Sequence, residues 1–93
     1  MTDQEILVLV KQNLSIMHTA QDEYLASLIT TSESSIQEEG ITLDLGDAKD
    51  VNLVVMYTAY LFRKRAEDNP VMPRMLRYAL NNRLFSEKAR VTS

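Results

Sequence analysis

Between Leu53 and Phe62, nine of ten residues are apolar and Thr58 is the exception. A helix that is apolar on every side is buried on every side. Ten residues are far too few for a membrane span, which takes roughly 20. The run therefore predicts a central helix over about 50–68, capped by Asp47 or Asp50 and sheathed by other helices. Val54, Val55, Tyr57, Tyr60 and Leu61 are expected in the core. Each large apolar side chain buried there contributes about 1.5–3 kcal/mol, so most of the stability is expected along this post. Arg63, Lys64 and Arg65 follow at its C-terminal end, where cations complement the helix dipole.

Three further helices are legible around it. Thr2-Asp3-Gln4-Glu5 is a capping box, in which the threonine caps the first turn and the glutamate reaches back. Ile6, Leu7, Val10 and Leu14 recur behind it at helical spacing, and the helix is expected to end near Asn13. A second helix is expected from Thr19 as N-cap to Gly40 as a left-handed C′ residue. Its core stripe is Leu25, Leu28, Ile29 and Ile36, with small hydroxyl residues that let another helix come close. Residues 41–46 alternate apolar and polar, and are expected to form a loop pinned by Ile41, Leu43 and Leu45, the alternative being an edge that pairs with a neighbouring molecule. Asn69 to Pro73 reads as a hinge, because Pro70 stops one helix and Pro73 suits the first turn of the next. The fourth helix is expected to bury Met75, Leu76, Ala79 and Leu80, to expose Arg74 and Arg77, and to stop at Asn81-Asn82.

With only 2 glycines and 2 prolines, few tight corners are available, which argues against an all-β fold. The fold class expected is all-α: a small four-helix bundle around the apolar helix, with a mobile basic C-terminal tail. Its 93 residues suit one domain, read as 1–85, followed by a flexible tail over 86–93 that trails behind Leu84 and Phe85.

No pattern of reactive side chains emerges. The chain has no cysteine and one histidine, His18, which leaves no thiolate metal site and no Ser-His relay. Gly40 and Gly46 stand alone, without the lysine and hydroxyl of a phosphate loop. Asp44, Asp47 and Asp50 are spaced by three, and the glycine falls in the wrong place for a calcium loop. Neither enzymatic activity nor a cofactor or metal is expected. The acidic start lacks the basic region of a signal peptide, and the expected compartment is the cytoplasm of the cell that makes the protein.

Charge is unevenly placed. Residues 1–50 carry ten acids and two bases, a net −8, whereas residues 51–93 carry eight bases and three acids, a net +5. Such a chain can satisfy itself, bind a copy of itself head to tail, or offer its basic side to a polyanion. Arg63, Lys64, Arg65, Arg74, Arg77 and Arg83 are the candidate subunit-interface or DNA-facing residues. The plain alternative is that these cations meet the acidic half of the same or a neighbouring chain. A small nucleic-acid-binding regulator using the basic half is the rival functional reading.

Three stretches resemble the small all-helical head–tail connector (adaptor, or head-completion) proteins of tailed bacteriophages and prophages. They are Leu14-Ser15-Ile16 with the following Asp22, the run from Tyr24 through Leu28, Ile29, Ser32 and Ile36 to Gly40, and the aromatic helix from Val51 through Tyr57 and Tyr60 to Arg65. Together they fall within about residues 6–65, and the segment after Pro70 departs from the family's pattern. The resemblance implies a virion protein, assembled in the host bacterial cytoplasm, that forms a ring of roughly a dozen subunits. The ring would sit beneath the portal protein, meet a further head-completion or tail protein, and let DNA pass without specific contact. It implies no enzyme, no cofactor and no membrane.

Overall fold

The computed structural model describes residues 1–65 and 71–92. It is a small all-α bundle of four helices: α1 (Asp3–Leu14), α2 (Asp22–Glu38), α3 (Ala48–Lys64) and α4 (Arg74–Thr92). The capping box forms at the start of α1. The Thr2 hydroxyl accepts the Glu5 N–H, and the Glu5 carboxylate accepts the Thr2 N–H and O–H. Those bonds hold the Glu5 carboxyl below its ordinary range. Ser15, left-handed at φ 59°, closes α1.

α1 and α2 form an antiparallel hairpin. Lys11 bridges Asp22 at 2.8 Å beside the connection, and Asp3 lies close enough to Glu33 at the far end to repel it. α2 opens at Asp22 behind Gln21, later than a Thr19 cap predicts, with no side-chain cap. The Thr19 carbonyl instead accepts the Asp22 N–H in a turn, which leaves Thr19 outside the helix. At the other end Gly40 has φ +104°, the left-handed conformation expected of it.

α3 is the central element, touching α1, α2 and α4. Asp47 is its N-cap, its carboxylate accepting the Lys49 N–H. Ile6, Val10, Leu25, Ile29, Ile36, Ile41, Leu53, Val54, Val55, Leu76 and Leu80 make the core. The expected loop over 41–46 is seen, with Ile41 buried and Leu43 and Leu45 packed against that core. One polar contact is sealed inside: the Thr58 hydroxyl donates to Ser32 Oγ at 2.9 Å, with both residues fully buried. The small hydroxyl at Ser32 is what lets α2 and α3 approach there.

The structure departs from several expectations. The post is not enclosed on all sides: Met56, Tyr57, Tyr60, Leu61 and Phe62 are only half-buried, Met56 and Tyr60 because they line an open groove between α3 and α4, and Leu28 on α2 is half-buried too. The residues expected to carry α3 on to Asp68, and the Asn69-Pro70 part of the hinge, lie outside the described residues. α4 does not stop at Asn81-Asn82. Its helical backbone runs through to Thr92, across most of the segment read as a tail. Contacts made by Arg83, Leu84 and Glu87 hold this second half, and tertiary contact overrides the weak helix propensity of asparagine.

Burial of Glu33, together with repulsion from Asp3, pushes its carboxyl above the usual 4.5. The folded chain therefore holds this proton more tightly than the unfolded chain does. Its contribution to stability is most favourable in acid and is lost as pH rises through the folded value. Glu33→Gln is expected to raise the urea midpoint at pH 7 and to change it least near pH 3. Equal shifts at both pH values would show that the carboxyl's charge is not the cause.

Candidate interaction surface

The six cations singled out in the sequence do not form one patch. Arg83 lies inside a polar clasp. Its Nε donates to Asp50 Oδ1 at 2.7 Å, and its Nη2 donates to the Thr42 carbonyl at 2.6 Å and to Asp50 Oδ2 at 3.3 Å. The Asp50 side chain is 2 % exposed and that of Arg83 11 %. Asp50 also accepts the Asp44 N–H at 2.8 Å, and Glu87 accepts the Thr42 N–H. The clasp thus ties the loop before α3, the first turn of α3 and the middle of α4 together. The hydrogen bond to Asp50 raises the Arg83 pKa further and keeps the group charged. Arg83 is therefore corrected from an outward-facing residue to an internal one.

Arg77 and Arg65 are also occupied. Arg77 bridges Glu39 at 3.3 Å, across the end of α2. Arg65 stacks over Tyr24 and Phe62, 4.8 and 4.3 Å from the ring centroids, where the negative ring faces attract the guanidinium. Lys64 lies 5.9 Å from the Tyr60 ring centroid. Arg63 and Arg74 are exposed, with no partner among the described residues. The cations of one half thus partly meet the acids of the other half within the same chain.

Two surface features remain. The first is an open groove of about 190 Å³ between the end of α3 and the start of α4. Its floor is Met56, Ala59 and Leu76, and Arg63 and Lys64 stand at its edge. The second is the outer face of α4. Leu76, Leu80 and Leu84 point to the core, whereas Met75, Tyr78 and Phe85 are 77, 58 and 72 % exposed. Residues 75, 78, 82 and 85 follow the three-and-four spacing of a helix stripe, turned away from the inner one. Met75 is therefore corrected from the inner to the outer face. Exposed apolar residues are ordinarily scattered singly, whereas these three share one side of the helix.

The acids that resembled a metal loop have structural duties: Asp47 caps α3, Asp50 holds Arg83, and the Asp44 carboxylate accepts the Gly46 N–H. No group of three or more metal-ligating acids or histidines occurs among the described residues. His18 is exposed, and its Nδ1 accepts the Ala20 N–H at 3.3 Å. No described helix is long and apolar enough to cross a membrane. The described surface thus presents an open groove edged by Arg63 and Lys64 and an exposed apolar row along α4. Comparison with protein-family models, curated proteins and solved structures found no match to the chain.

Proposed function

We propose that this chain is a structural assembly protein of the head–tail connector kind, a virion component that works by self-association and not by catalysis. The exposed row of Met75, Tyr78 and Phe85 on α4 carries this reading. A helix that packs Leu76, Leu80 and Leu84 inward and exposes three large apolar residues on its other side has the makings of an interface. The resemblance of the stretches at 14–22, 24–40 and 51–65 to the connectors supplies the particular assembly. It is a ring beneath a portal protein, joined to a further head-completion or tail protein, with DNA passing through. The place of action is the virion, after assembly in the bacterial cytoplasm.

Native mass spectrometry and light scattering over a range of concentrations test this. Oligomers that grow with concentration, or on addition of a portal protein, are expected. The double variant Met75→Glu/Phe85→Glu is expected to stay monomeric while keeping its helical circular dichroism. A wild-type chain that is monomeric at every concentration, with and without a portal protein, would end the reading.

Exposed Arg63, Lys64 and Arg74 favour the rival reading, a nucleic-acid-binding regulator. It predicts DNA affinity that falls steeply as salt rises, together with a sequence preference in gel shifts. Arg83, paired to Asp50, and Arg77, paired to Glu39, are withdrawn from that role.

A further inference from the structure

The outer face of α2 complements the outer face of α4. Glu23, Ser27, Thr31, Ser34 and Glu38 are all exposed and recur at helical spacing along one side of α2. The stripe is made of small residues in the middle and has an acid at each end. The Ser27 hydroxyl donates to the Tyr24 carbonyl at 2.7 Å, and the Thr31 hydroxyl donates to the Ser27 carbonyl at 3.0 Å. Hydroxyls already bonded to their own helix lose little when water leaves the surface.

α4 offers the converse: large apolar side chains at Met75, Tyr78 and Phe85, with Arg74 exposed at one end. The lengths agree. The row from Met75 to Phe85 is about 15 Å long at 1.5 Å per residue, and the α2 stripe between its two acids is about 22 Å. The apolar row fits between the acids, and an acid at each end of α2 meets Arg74 whichever way the helices run.

We infer that the α4 row of one copy docks on the α2 stripe of the next, a head-to-tail contact between unlike faces of the same chain. This rests on the self-association proposed above and names its surfaces. Such a contact is heterologous, so it propagates into a ring when the rotation closes.

The absence of cysteine makes the test clean. Two full-length single-cysteine variants, Asn82→Cys on the α4 row and Thr31→Cys on the α2 stripe, are mixed in equal amounts and oxidised. The intact masses of the products are then read. Mixed 82–31 dimers are expected to exceed the two like-with-like dimers taken together, which random pairing of equal amounts would only equal. In addition, Arg74→Glu is expected to weaken association about tenfold, and Glu23→Lys or Glu38→Lys in the partner copy to restore it. Dominant 82–82 dimers would overturn the inference, because two α4 rows would then face each other while self-association stands. So would an absence of any cross-link in a wild-type background that oligomerises. A wild-type chain that never associates removes both the inference and the function it rests on.

Discussion

Replacing Arg83 by methionine is expected to destabilise the fold by about 3–5 kcal/mol, since removing one partner of a buried pair strands the other charge. Asp50, with 2 % of its side chain exposed, would keep only the Asp44 N–H. Asp50→Leu alone is expected to cost less, because the guanidinium keeps the Thr42 carbonyl and lies 3.8 Å from Glu87. The double variant Asp50→Leu/Arg83→Met is expected to recover part of the loss seen in Arg83→Met, since the buried Asp50 charge is no longer left alone. Recovery stays partial because the bonds to the Thr42 carbonyl and the Asp44 N–H are missing from the double variant. Urea unfolding of the four proteins gives the coupling between the two positions. Strictly additive effects would mean that the pair contributes nothing as a pair.

This pair is not legible in the sequence because of its range. Asp50 and Arg83 are 33 residues apart, and no local pattern says which acid meets which base. Asp50 reads equally well as a helix cap. Features that depend on neighbours in the chain are legible: the Thr2–Glu5 box, the Asp47 cap and left-handed Gly40 all form as the residues predict. The end of α4 escapes a local reading for the same reason as the ion pair. Asn81-Asn82 is a weak helical step by propensity, but Arg83, Leu84 and Glu87 beyond it find distant partners. Of the candidate surface, the cations are visible as residues but their engagement is not. Leu84 and Phe85 both read as exposed anchors from their neighbours in the chain, but only Phe85 is one, since Leu84 packs against the core. Met75 does not read as exposed, because Met75 and Leu76 are adjacent and either phase gives a helical stripe.

That ambiguity yields the second large effect. Leu80 and Phe85 lie on the same helix, both apolar and close in sequence. Leu80 is 1 % exposed and Phe85 72 %. Leu80→Ala is expected to cost about 2–5 kcal/mol, from lost burial and the cavity left between α3 and α4. Phe85→Ala is expected to change stability by no more than about 0.5 kcal/mol, as surface substitutions do. Chemical denaturation at low protein concentration, where copies are apart, measures both. The comparison separates two roles that composition merges, since by size alone phenylalanine should matter more. If Phe85→Ala proves as costly as Leu80→Ala, the outer row is part of the monomer's own core and no surface remains for a neighbouring copy. If it is silent in the dilute chain but costly at concentrations where the protein assembles, the energy of that side chain belongs to the contact between copies.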